Sequence, residues 1–243
     1  MQGITEFLPI SSSGHNVLLA KSFNIKTPNL SFDIFVHLGS LLAVAFFFYR
    51  NYEAEKKNLP NFNSTLQIIF LSWIPVLLFG YFFRDFFDGR ARDLDLIAVA
   101  FVVSGIFISI HLFKKFQLNF NYVIFLMAIF QIFAAFPGIS RSGITIGIGL
   151  VLGLNPKKAI LISFLMSIPV IFLAASYDFY QIVINGNNYF EQFFYILISF
   201  IISLVFSFIG IKLMLIISRN SNFKWFGVYN ILVGIIILTL LVI

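Results

Sequence analysis

Apolar residues run along the chain in long continuous stretches separated by short polar segments, without residue-by-residue alternation. A helix needs about 17–25 such residues to cross a bilayer. Six stretches qualify: Phe32–Tyr49, Thr65–Phe83, Leu94–Phe113, Lys158–Tyr177, Gln192–Ser218 and Trp225–Ile243. Two further apolar regions are broken. Met1–Ser22 is interrupted by Pro9, by Ser11-Ser12-Ser13 and by Gly14; Asn119–Leu154 is interrupted by Pro137-Gly138 and then by Ser140-Arg141-Ser142-Gly143. Irregular backbone at membrane depth survives only where protein buries it or where it lines a wet cavity. Both regions therefore read as re-entrant helical hairpins that enter and leave on one face.

The two breaks resemble each other. Gln2, Phe7, Ile10, Ser11, Ser13 and Gly14 recur as Gln131, Phe136, Ile139, Ser140, Ser142 and Gly143, at a constant offset of 129 residues. Ser31-Phe32 and Ser163-Phe164 then open comparable spans. This reads as an internal repeat, one copy over about 1–113 and the other over about 114–243. Three crossings separate the copies, so the second hairpin enters from the opposite face. Inverted repeats with interrupted helices place a site at the repeat interface, near the midplane.

Composition narrows the class. The chain is 60% hydrophobic and 11% charged, with a mean hydropathy of +0.97. Soluble domains carry about 25% charged residues, and this chain has too few to cover its apolar surface. A disordered chain is excluded for the opposite reason, and a transmembrane β-barrel by the continuous apolar runs. The expectation is an all-α polytopic membrane protein, with about six transmembrane helices plus two re-entrant helical hairpins arranged as inverted repeats. It forms a single integral membrane domain over residues 1–243. There is no cysteine, which excludes disulfides and thiol catalysis. The net charge of +6 and pI of about 9.6 read as basic loops against anionic lipid, not as a nucleic-acid surface. One face would carry Arg50, Lys56, Lys57, Lys114, Lys115, Lys157, Lys158, Arg219 and Lys224, and the other Lys21, Lys26, Arg84, Arg90 and Arg92. Nine against five makes the first face cytoplasmic and turns the mouth of the first hairpin outward.

Ionisable residues within apolar spans are costly, so each is a candidate for function. Arg141 stands between serines just past Pro137-Gly138, where a helix restarts. Free N–H groups at a helix start and a guanidinium together suit a phosphate or diphosphate. Pairing with Glu6, which would neutralise both charges, is the plainer role. Ser11, Ser12 and Ser13 precede a helix, with His15 close behind. A serine nucleophile with histidine as its base or as the acid fits this pattern, as does phosphorylation of the histidine; so does simple N-capping. Glu6 has Gln2 one turn earlier on the same helix face. The two could hold a divalent cation beside a phosphate, or Glu6 could bond to the facing hairpin. His37 lies one turn after Asp33, for a local pair or a catalytic role. Asp178 and Lys212 fall near span ends, where snorkelling or capping explains them.

From these residues two functions remain open. One is hydrolysis of a bound phosphate or diphosphate. The other is transport of such an anion, which the resemblance given next would make a transporter or flippase of polyprenyl phosphate or another anion. A pure carrier needs Arg141 but has less need of an adjacent serine and histidine.

Three blocks make the chain recognisable: residues 2–15 (QGITEFLPISSSGH), residues 32–44 (FDIFVHLGSLLAV) and residues 137–145 (PGISRSGIT). In these it resembles the bacitracin-resistance type of undecaprenyl-diphosphate phosphatase, an integral-membrane family that recycles the lipid carrier of peptidoglycan synthesis. The resemblance covers the whole chain. It implies hydrolysis of undecaprenyl diphosphate to undecaprenyl phosphate and inorganic phosphate, with bacitracin resistance as a consequence. It places the acidic motif on Gln2 and Glu6, the serine-histidine motif on Ser12 and His15, and the diphosphate-binding motif on Ser140, Arg141 and Thr145. The expected catalytic residues are Glu6, Ser12, His15 and Arg141. Ser11, Ser13, Ser140, Ser142 and Thr145 bind substrate, and Glu6 with Gln2 holds Mg2+ or Ca2+. Gln2 stands where the family has either Glu or Gln, so a role needing a second carboxylate there falls away. The implied setting is a bacterial plasma membrane; the loop charges turn the site outward, and a homodimer is left open as a partner. Members usually carry an apolar stretch before the first motif, so an upstream in-frame extension is expected.

Overall fold

The computed structural model describes residues 1–23, 30–59, 62–83, 86, 93–112, 116–185, 193–220 and 223–242. Regular structure among them is helical throughout. The first break separates α1 (Gln2–Thr5) from α2 (Ser12–Ser22). Then come α3 (Leu30–Arg50), α4 (Tyr52–Asn58), α5 (Phe62–Leu71), α6 (Trp73–Phe82) and α7 (Leu94–Ser109), the last running into a 3-10 turn over Ile110–Leu112. Next, α8 (Phe120–Phe130) ends in a 3-10 turn over Gln131–Ala135 before the second break, and α9 (Arg141–Val151) follows it. The chain closes with α10 (Pro156–Asn185), α11 (Phe193–Asn220) and α12 (Lys224–Val242).

Four stretches of the described helices are long and apolar enough to cross a bilayer: Phe62–Phe82, Pro156–Tyr177, Phe194–Arg219 and Lys224–Val242. They match four of the six expected spans. The counterparts of the other two appear as shorter apolar helices, Ile34–Arg50 and Leu94–Ser109. The stretch expected as Thr65–Phe83 is broken at Ser72 into α5 and α6. Pro75 has no N–H to give the Leu71 carbonyl; at the break the Ser72 N–H and Oγ both donate to the Ile69 carbonyl, at 3.1 and 2.6 Å. Pro169 sits inside α10 without ending it. Gln192, Ile243, Phe113 and the loop charges Lys26, Arg84, Arg90, Arg92, Lys114 and Lys115 lie outside the described residues. So do the side chains of Asp33 and Asp178.

The centre of the molecule is α9. Every residue from Ser142 to Val151 is buried, with α7, α8 and α10 packed around it. Ile144 and Ile148 join Ile124, Met127, Ile162 and Met166 in one apolar cluster. On the other side Phe7, just past α1, is fully buried and meets Phe164 of α10 edge-on at 5.2 Å. Packing of α7 against α12 depends on small residues: a Cβ on Gly105 would stand 2.6 Å from the Gly227 carbonyl oxygen. Such close backbone approach is how helices associate where lipid removes the hydrophobic drive. The exterior is apolar, with Phe70, Tyr81, Phe82, Phe194 and Tyr195 at least 70% exposed. Lys212 is exposed on α11, where a long side chain can snorkel toward the interface.

Candidate active site

Both breaks are closed by the same device. Ser11 Oγ accepts from the Gly14 N–H at 3.2 Å and caps α2; Ser140 Oγ accepts from the Gly143 N–H at 3.0 Å and caps α9. Each serine occupies a helix orphan donor. Phe136 is extended, φ −76° and ψ 121°, as a residue before proline must be. Gly138 then takes φ +98°, a region closed to most side chains. Ser11 itself sits at φ 60°, a strained conformation for a non-glycine that costs about 1–3 kcal/mol.

The two breaks touch. A Cβ on Gly14 would fall 2.9 Å from Gly138 Cα and 2.7 Å from the Phe101 ring. Ser142 Oγ donates to the Leu8 carbonyl at 2.9 Å, tying one break to the other. Asn230 Nδ2 on α12 donates to the Pro9 carbonyl at 2.7 Å, and the Ser140 N–H donates to Ser104 Oγ on α7 at 3.1 Å.

At this junction lies a cavity of about 150 Å³. Glu6, Ser11, Ser12, Ser13, Ser140 and Arg141 line it, with His37 from α3 and Gln131 from the turn after α8. Val76, Ala134, Ile139 and Val170 form the apolar walls. Glu6 is the hub. Its Oε1 accepts from Arg141 Nη2 at 2.9 Å, and its Oε2 accepts from Ser12 Oγ at 2.7 Å. The side chains of Arg141 and Glu6 are 9% and 12% exposed, so the pair is close to dry. Arg141 Nη1 also donates to the Ser163 carbonyl at 3.2 Å.

The remaining candidates stand differently. Thr145 is fully buried one turn into α9; its hydroxyl bonds to Ser163 Oγ at 2.7 Å and donates to the Arg141 carbonyl at 2.9 Å. Thr145 and Ser142 do not line the cavity; they hold α9 in place. Gln2 is turned away, its Oε1 accepting from Asn16 Nδ2 at 3.0 Å. His15 lies outside the lining as well. Its Nδ1 donates to the Ser11 carbonyl at 2.7 Å and its Nε2 meets the Tyr229 hydroxyl at 2.7 Å. The ring stacks on Tyr229 and meets Phe101 edge-on. Reasoning from sequence missed Tyr229, Ser104 and Ser163 as supports, since nothing local ties them to the breaks. Gln131 had a signal, its place opposite Gln2 in the repeated pattern.

Among the described residues no cluster of three or more His, Asp or Glu could hold a metal ion by itself. The arrangement can receive an anion on Arg141 and the start of α9, with a carboxylate beside a serine hydroxyl for proton transfer.

Comparison with known proteins agrees over the full length. The family described as bacitracin resistance protein BacA matches residues 1–236. A protein of Carboxydothermus hydrogenoformans named undecaprenyl-diphosphatase is 37% identical, over 99% of this chain and 94% of its own. Relatives of the same name in Thermosipho africanus and Aquifex aeolicus are 36% and 34% identical. Each alignment covers 97% of this chain, with 95% and 93% of the relative.

Proposed function

The chain belongs to the bacitracin resistance protein BacA family, and on that footing we propose that it is an undecaprenyl-diphosphatase. It hydrolyses undecaprenyl diphosphate to undecaprenyl phosphate and inorganic phosphate, returns the lipid carrier to use, and so confers bacitracin resistance. The observation that carries the chemistry is the sharing of Glu6 between Ser12 and Arg141.

In this reading the diphosphate enters the cavity and takes Arg141 from Glu6, since a guanidinium binds phosphate oxygens at least as well as carboxylate. Glu6, released from its counter-ion, becomes the base. It removes the Ser12 proton, Ser12 Oγ attacks the terminal phosphorus, and the bridging P–O bond breaks with its electron pair leaving on undecaprenyl phosphate. Water then cleaves the phosphoserine, returning the proton to Ser12 and releasing phosphate. Arg141 and the α9 N-terminus hold the charge on the equatorial oxygens throughout, which is the larger part of phosphoryl-transfer catalysis. His15, fixed from both nitrogens, is a positioning residue that holds the backbone at Ser11.

A divalent cation would supply further charge neutralisation on the diphosphate when bound. Glu6 fits that role, as a carboxylate facing the cavity. Gln2 does not, because its amide oxygen is bonded to Asn16 and lies outside the lining. For the polyprenyl chain there is an open apolar cavity of about 660 Å³ between α5 and α10, lined by Leu66, Ile69, Phe70, Leu165, Ile168 and Pro169. Its wall ends at Pro169, and the next residue, Val170, belongs to the polar cavity. The site lies toward the outer face of the plasma membrane.

The test is phosphate release from undecaprenyl diphosphate by purified protein. Arg141→Ala is expected to lose about 10²–10³ in rate, and Glu6→Gln about 10²–10⁴. Ser12→Ala should abolish the acid-stable phosphoserine trapped by quenching labelled substrate. Full turnover by Ser12→Ala would replace Ser12 with an activated water. Absence of release by folded wild-type protein would overturn the reading.

A further inference from the structure

Gln131 is fully buried, lines the catalytic cavity, and carries a side-chain oxygen with no hydrogen-bond partner. Its Nε2 lies 3.4 Å from the Ser72 carbonyl, at the break between α5 and α6. That contact fixes the amide's direction. A carbonyl only accepts, so the nitrogen must face Ser72 and the oxygen must face away from it. A buried acceptor left unsatisfied costs about 1–3 kcal/mol, so a resident orphan beside a polar cavity points to something that the resting protein lacks. Arg141 does not serve it; its bonds go to Glu6 and to the Ser163 carbonyl.

We propose that Gln131 Oε1 is a ligand for a divalent cation held jointly by Glu6 and the substrate's phosphate oxygens. The proposal rests on the phosphatase reading and deepens it. Hard cations of the Mg2+ type take oxygen donors, keep part of their water, and are often held by one or two carboxylates plus phosphates. This cavity offers one carboxylate, and no carboxylate or imidazole cluster among the described residues supplies the rest. A neutral amide oxygen completes the donor set without adding charge that would compete with the diphosphate for Arg141. The cation is therefore bound as a complex with the diphosphate and weakly without it.

The test reads binding of Mn2+ by electron paramagnetic resonance, on detergent-purified full chain with a non-hydrolysable methylene-diphosphonate analogue of a prenyl diphosphate. Gln131→Met removes the oxygen and is expected to weaken Mn2+ at least about tenfold. Gln131→Glu replaces the amide with a carboxylate and is expected to tighten it. Gln2→Met should leave it within twofold. Were Gln131 only a brace for Ser72, both substitutions would lose the Nε2 donor and would alter Mn2+ binding alike, which would overturn the proposal. So would unchanged binding in Gln131→Met, absence of Mn2+ binding by wild type, or a Gln2→Met effect as large. Thermal unfolding of each variant shows that it is folded. Phosphate release by wild type, measured alongside, reports on the phosphatase reading independently of these outcomes.

Discussion

The carboxylate of Glu6 holds one cation and one hydroxyl at once, and this sets how its neighbours respond to substitution. Arg141→Met would strand Glu6 at 12% side-chain exposure, and breaking a buried pair by removing one partner costs about 3–5 kcal/mol. Glu6→Gln in the same chain removes the stranded charge. The double variant is therefore expected to unfold at a higher temperature than Arg141→Met alone while remaining as inactive. Thermal unfolding in detergent measures the first half and phosphate release the second; additive losses of stability would mean that the two side chains are not coupled. His15 shows what local pattern leaves out at this scale. The ring bonds back to the Ser11 carbonyl within one turn, while Tyr229, 214 residues away, meets its other nitrogen.

Among the elements, much was legible because the signals are local. Serine caps, Pro137-Gly138 and the offset of 129 residues mark both breaks, and both are found where they were expected, each followed by a capped helix. What was not legible depends on partners distant in sequence. Gln131 acquires its meaning from Ser72, 59 residues away, and Thr145 leaves the cavity because Ser163 on α10 takes its hydroxyl. The break at Ser72 was readable from Pro75, three residues on, but uniform hydropathy over Thr65–Phe83 concealed it. That break and Pro169 flank the apolar cavity between α5 and α10, and this gives an element-scale prediction. Ile168→Trp fills the cavity's wall without touching Glu6, Ser12 or Arg141. It should raise KM for undecaprenyl diphosphate roughly tenfold, about the worth of two buried methylenes, and leave kcat within twofold. Farnesyl diphosphate, too short to fill the cavity, should show no change. Equal losses on both substrates would place the chain elsewhere.

For the molecule as a whole the question is how deep the cavity lies and from which side it is reached. Helix rise supplies a ruler, at 1.5 Å per residue. His37 is thirteen residues before Arg50 on α3, and Val170 is twelve residues after Lys158 on α10. The loop charges assign Arg50 and Lys158 to the same face, the one expected to carry nine positive charges. The cavity wall is then about 18–20 Å from that face by either helix. Across a hydrocarbon core about 30 Å thick, this puts it in the opposite half. With the nine-charge face cytoplasmic, as the charge bias proposes, the diphosphate would be reached from outside. Ser13 lines the cavity and is exposed, and the chain has no cysteine to compete. Ser13→Cys in intact cells should therefore react with a membrane-impermeant maleimide added outside, and inorganic pyrophosphate should slow the reaction by occupying Arg141. Labelling only after the membrane is opened would reverse the orientation: the charge bias would then have misassigned the cytoplasmic face, while the cavity kept its depth.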